Sequence, residues 1–148
     1  MKLNYKTINK EDIEIILPLL RVVNTTTPID ILRKRLHEMS AYSNYECVGV
    51  FDQETLIGIS GLWYATRHYI GKSVEPDHVV IDEKYRGKNV GKLFFAWIYE
   101  YTKKKGCEAM ELNTYTSNRK SHKFYYNEGF EIYGFHFLKI LRENTEFY

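Results

Sequence analysis

The chain opens on a strand-like alternation. Residues 3 to 8, LNYKTI, put apolar and polar side chains on opposite faces. NKED then changes the period. Asn9 is a candidate cap and Asp12 a favourable first-turn charge for a helix reaching about Leu17, where Pro18 ends or kinks it. TTTPID is a second start, with Thr27 as cap, Pro28 at the first helical position and Asp30 at the third. This helix runs to about Ser40 and is expected to bury Ile31, Leu32, Leu36 and Met39. Strand patterns follow at YECVGVF (45–51) and, after the turn DQET, at LIGISGLWYATR (56–67), which together predict a hairpin. HYIGKSVEP (68–76) reads as a connection and DHVVID (77–82) as a short strand.

From Val90 the apolar residues Val90, Leu93, Phe94, Trp97 and Tyr101 keep helical spacing on one face. Lys103, Lys104 and Lys105 suit the C-terminus of that helix, and Gly106 stops it. EAMELNTY (108–115) predicts a strand. SNRKSHKFYYNEG (117–129) predicts a helix opened by Ser117 or Asn118 and closed by Gly129. FEIYGFHFLKIL (130–141) alternates on both sides of Gly134, as a tight terminal hairpin would. The predicted order is β-α-α-β-β-β-α-β-α-β-β. The late strand–helix–strand unit implies one parallel pair and the hairpins imply antiparallel pairing. The fold class expected is α/β (α+β), one mixed sheet with helices on its faces.

Composition narrows the function classes. The 148 residues, 44% hydrophobic, suit one domain over 1–148 with a sizeable core. The longest apolar run, Leu93 to Tyr99, is far too short for a membrane span. The start, MKLNYKTINKEDIEII, lacks the apolar segment of a secretory signal. Cys47 and Cys107 show neither metal-like spacing nor a disulfide framework, and read as small hydrophobes in a reducing, cytoplasmic setting. No metal and no membrane partner is expected. A net charge of +2 gives no electrostatic case for nucleic acid. The 13 tyrosines divide between core and pocket in proportions that composition does not set.

The candidate chemistry begins at YRGKNVGK (85–92), where a strand becomes a helix. A helix start offers unpaired N–H groups and a partial positive charge. Gly87 and Gly91 let a ligand approach the backbone, and Arg86, Lys88 and Lys92 add positive charge, so the stretch suits phosphates. Gly91-Lys92 is followed by Leu93, so this is not a Walker loop, and the dinucleotide spacing is also missing. The residues alone equally allow a charged surface turn.

Here the sequence resembles the GCN5-related N-acetyltransferases (GNAT), in which a strand leads into Arg/Gln-x-x-Gly-x-Gly/Ala. The chain has Arg86-Gly87-Lys88-Asn89-Val90-Gly91. The first and last positions match. Asn89 replaces the middle glycine, and Asn tolerates left-handed backbone better than most residues. A second match follows about thirty residues on: Asn118, then FYYNEGF from Phe124 to Phe130, with Tyr125 four residues before Gly129. The order of elements is similar along nearly the whole chain.

The resemblance implies acetyl transfer from acetyl-CoA, as co-substrate, to a primary amine of a small molecule by direct attack. The backbone of Val79, Val80 and Ile81 would hold the pantetheine arm, with one N–H polarising the thioester. Arg86, Gly87, Lys88, Asn89, Val90, Gly91 and Lys92 would hold the pyrophosphate. Asn118 would bond the coenzyme arm and Tyr125 would give a proton to the leaving thiolate. Asp77 and His78, at the start of the strand before the cradle, are the base candidates, beside the plain reading of a solvated strand start after Pro76. Acceptor lining is expected from RVVNTTTPID (21–30) and LWYATRHY (62–69). A non-catalytic coenzyme-binding or regulatory module and a basic RNA-binding domain remain as alternatives, and a homodimer through an exposed edge or the terminal hairpin is left open.

Overall fold

The computed structural model describes residues 1–147 as two compact units, Met1–Glu111 and the chain from Leu112 onward. In the first unit the alternation at the N-terminus becomes β1 (Leu3–Ile8). It pairs antiparallel with β2 (Tyr45–Asp52), and β2 with β3 (Thr55–Arg67). β3 pairs antiparallel with β4 (Gly71–Ile81), and β4 pairs parallel with β5 (Ala109–Met110). The result is one mixed sheet in the order β1-β2-β3-β4-β5.

The helices cover both faces. Lys10–Ile16 forms a 3-10 stretch that runs into α1 (Leu17–Val23). Pro18 therefore opens a helix instead of ending one. In the first turn its missing N–H removes a donor with no helical partner anyway. α2 spans Ile29–Ala41, with Pro28 rather than Thr27 in the cap position and no side-chain capping bond. Leu32 and Leu36 are buried on it, Ile31 and Met39 half-buried. These two helices pack on Ile8, Tyr45, Cys47, Ile59 and Val80. α3 (Val90–Lys104) covers the other face, against Val48, Val50, Ile57, Leu62 and Val74. Its buried stripe is Val90, Phe94, Phe95, Ile98 and Thr102, and Leu93 is exposed, so the helix is turned from the predicted face. Each fully buried Phe or Ile here contributes about 1.5–3 kcal/mol.

Three strand expectations change. β4 starts at Gly71, so most of the predicted connection 68–76 is strand. Glycine, lysine and proline disguise it. Pro76 is tolerated because β5 reaches only Val74, and beyond it β4 is an edge. The strand predicted over 108–115 shrinks to Ala109–Met110. The second unit contains α4 (Arg119–Asn127), but residues 130–141 form no strand among the described residues. Alternation makes a strand only when a neighbour completes the ladder. Most side chains of this stretch are exposed, Tyr133 at 93% and Phe137 at 90%.

Candidate active site

The loop between β4 and α3 carries the residues expected to form a cradle, Arg86 to Lys92. Asp82 caps the short 3-10 turn Glu83–Tyr85 by accepting from the Lys84 N–H at 2.9 Å. Gly87 then takes φ 73° and Asn89 φ 64°, both left-handed. A Cβ added at Gly87 would meet nothing within 4 Å, so the backbone there faces open space. Asn89 stands in the cap position of α3 yet makes no side-chain capping bond. The first helical bond is Leu93 N–H to the Asn89 carbonyl, at 3.1 Å. The amides of Val90, Gly91 and Lys92 thus precede the helical ladder, with the positive end of the helix dipole behind them. Arg86 donates from Nε to the Ile81 carbonyl at 3.0 Å, and Lys88 Nζ lies 5.3 Å above the Tyr85 ring. At this loop unpaired amide donors, open backbone at Gly87 and the positive side chains of Arg86 and Lys88 coincide.

Beyond Val74, β4 pairs with no second strand among the described residues. β5 pairs with β4 only at Ser73 and Val74, so among the described residues no strand lies beside residues 75–81 on that side. Val79, Val80 and Ile81 lie on this stretch, directly before the cradle. The same stretch is irregular toward β3. Gly61 pairs with Asp77 and Ile59 with Val80, leaving Ser60 opposite both His78 and Val79. That two-against-one arrangement is a β-bulge.

Both base candidates sit at the bulge. Asp77 accepts the Trp63 Nε1–H at Oδ2, 3.2 Å, and the His78 main-chain N–H at Oδ1, 2.8 Å. His78 has φ 39°. Its Nε2 lies 2.8 Å from the Tyr45 hydroxyl, while its buried Nδ1 has no partner among the described residues. Burial lowers the imidazole pKa, opposed in part by Asp77. The Tyr45 hydroxyl is pushed up by burial, and the neighbouring Cys47 thiol to about 12 by the same cause.

Two expectations follow from this packing. Unfolded, His78 takes its proton near about pH 6.5, but the folded site resists it, so stability is full above that value and falls as pH drops through it. Thermal melts between about pH 7.5 and 5.5 should show a smaller acid loss in His78→Gln than in the parent. A slope identical in both contradicts the assignment. Second, a Cβ at Gly61 would sit 2.3 Å from His78 Nε2 and 2.9 Å from the Tyr45 ring. Gly61→Ala should cost about 1–3 kcal/mol in urea unfolding; an unchanged midpoint refutes the crowding.

In the second unit, Asn118 caps α4, its side-chain oxygen accepting the Ser121 N–H at 3.3 Å. At the other end Gly129 N–H bonds the Tyr126 carbonyl at 3.1 Å and Phe130 N–H the Tyr125 carbonyl at 3.0 Å, with Gly129 at φ 92°. This is a Schellman motif, and its accompanying apolar contact is Phe130 against Tyr125, ring centroids 5.6 Å apart. The spacing Tyr-x-x-x-Gly-Phe thereby fixes the Tyr125 ring. Burial raises the phenol pKa, so it stays protonated near neutrality.

Of the predicted acceptor lining, Arg67 is engaged with Glu111, Nε to Oε2 at 3.1 Å. Glu111 also accepts from Tyr69 at 2.7 Å and Ser73 at 2.8 Å. Burial opposes ionisation of Glu111, but these bonds leave its pKa lowered. Tyr45 and Gly61 are not marked by the sequence, and Trp63 enters only within the expected 62–69 lining. Their contacts depend on strand register, and no local motif announces it.

Known proteins share this fold. The model of the acetyltransferase (GNAT) family matches residues 16–130. An aminoalkylphosphonate N-acetyltransferase of Salmonella typhimurium is 28% identical over 112 residues, which cover 76% of this chain and 68% of that protein. Among solved structures, AAC(6')-Iy in complex with the bisubstrate analogue CoA-S-monomethyl-acetylneamine superposes with a TM-score of 0.80 at 18% identity, covering 96% of this chain and 99% of that one. Glucosamine-6-phosphate N-acetyltransferase of Arabidopsis thaliana gives 0.70 at 17%, covering 96% and 100%. The structural likenesses establish the fold, the family match spans well over half the sequence, and the chain belongs to the acetyltransferase (GNAT) family of N-acetyltransferases.

Proposed function

We propose that this protein transfers the acetyl group of acetyl-CoA to a primary amine of a small molecule, by direct attack in a ternary complex. The observation that carries the reading is the junction of β4 and α3, where a strand edge with no neighbouring strand among the described residues runs into uncapped helix amides and left-handed Gly87 and Asn89. In this account the amides from Gly87 to Lys92 hold the coenzyme diphosphate, with Arg86, Lys88 and Lys92 as helpers. The Val79–Ile81 edge holds the pantetheine arm and places one N–H on the thioester oxygen, where charge builds during attack. Asn118 contributes a hydrogen bond to the arm.

The amine attacks the carbonyl carbon, the carbon–sulfur bond breaks, and an amide and a thiol result. The proton lost by the amine goes to Asp77 or to a water bound there. Each Asp77 oxygen accepts one bond and retains a second lone-pair direction. Tyr125 gives a proton to the thiolate. The Salmonella relative suggests that aminoalkylphosphonates be included among the acceptors tested.

The test is an acceptor screen that follows free thiol release from acetyl-CoA, covering aminoalkylphosphonates, amino sugars, aminoglycosides, polyamines, amino acids and peptides. Thiol release with at least one small amine supports the reading. Tight coenzyme binding with no release from any acceptor contradicts it and favours a binding module on the same fold.

A further inference from the structure

His78 holds a backbone conformation that glycine would adopt without strain. At φ 39° its Cβ crowds the main chain. Such a residue persists only where its surroundings over-determine it. Here three strands do so. Tyr45 on β2 holds Nε2 at 2.8 Å. Gly61 on β3 leaves the room, since a Cβ there would fall 2.3 Å from the same nitrogen. Asp77 on β4 holds the His78 main-chain N–H and is itself held by Trp63.

The bulge sets the phase of the strand that follows. Val74 packs in the α3 cluster, yet Val80, six residues on, packs in the α1–α2 cluster. An even separation keeps one face on a regular strand. The extra residue at His78–Val79 makes the switch. Without it Val79, Val80 and Ile81 would trade faces, and their edge N–H and C=O groups would trade directions.

We infer that the Tyr45–His78 hydrogen bond is a latch on the β4 bulge, which makes His78 a positioning residue for the Val79–Ile81 edge and not the proton acceptor. The catalytic half of this statement rests on the acetyl-transfer reading. The imidazole is poorly placed to take a proton from substrate: Nε2 is engaged and Nδ1 is buried.

The test uses the full chain with His78→Ala, His78→Gly and Tyr45→Phe. Glycine tolerates the bulge conformation and alanine does not, so kcat should fall about thirtyfold in His78→Ala but only about threefold in His78→Gly. The Kd for CoA should stay within about twofold in both. Tyr45→Phe should lower kcat about fivefold in the parent and have no further effect in His78→Gly, because the bond it removes is already gone. Amide hydrogen exchange in the free protein should be faster at Asp82, whose N–H bonds the Ile57 carbonyl on β3 at 2.8 Å, in His78→Ala than in His78→Gly. Equal loss in both His78 variants, with activity restored by added imidazole, overturns the inference in favour of a proton acceptor. Unchanged exchange and turnover in all variants overturns the latch. The exchange readout needs no substrate, so it judges the latch even if the parent chain releases no thiol, a result that would refute the acetyl-transfer reading instead.

Discussion

Gly91→Glu is expected to weaken coenzyme binding by at least about a hundredfold while leaving the fold intact. Gly91 is the second residue of α3, among the amides that precede the helical ladder. Hydrogen bonds from such amides to a charged phosphate are worth about 1.5–3 kcal/mol each, and losing two of them accounts for the loss. The glutamate also brings negative charge to the proposed diphosphate site. Folding runs the other way, because a carboxylate in the first turn of a helix is favourable to its dipole. The substitution therefore separates binding from stability. Gly91→Val, with bulk and no charge, should show a smaller loss. Calorimetric titration with CoA, alongside far-UV circular dichroism, reads both. Affinity within about threefold of the parent in Gly91→Glu contradicts the cradle.

Tyr125→Phe should lower kcat about a hundredfold and leave the CoA Kd within about twofold. The phenylalanine keeps the ring that Phe130 packs against, so the Schellman end of α4 stays closed. Only the hydroxyl is lost. Because burial raises the phenol pKa above its ordinary value of about 10, the donor stays protonated at neutral pH and causes no alkaline limb in kcat below that value. A variant with unchanged kcat removes the proton-donor role.

Much of this was legible in the residues because the signals are local. α3 was marked by helical spacing from Val90 and by the lysines and glycine at its end, although the period alone placed Leu93 inward and missed Phe95 and Ile98. The cradle and the Tyr125–Phe130 spacing are short motifs whose backbone geometry follows from glycine and asparagine in left-handed conformations. What was hidden depends on partners distant in sequence. The early start of β4 rests on pairing Gly71 with Arg67 and Pro76 with Leu62, which no local propensity suggests. The bulge at His78 depends on a hydroxyl 33 residues away. The terminal alternation at 130–141 promised a hairpin, but alternation specifies which faces a strand would show and not that a neighbour will pair with it.

The account stands on main-chain N–H groups of one loop holding a diphosphate. The direct measurement is an amide nitrogen–proton correlation spectrum of the labelled protein titrated with CoA. The expected result is large, saturable shifts of the Gly87 to Lys92 amides, retained when Lys88 and Lys92 are both replaced by Met. Amides that stay in place while CoA binds, or shifts that vanish with those two lysines although binding persists, would contradict it.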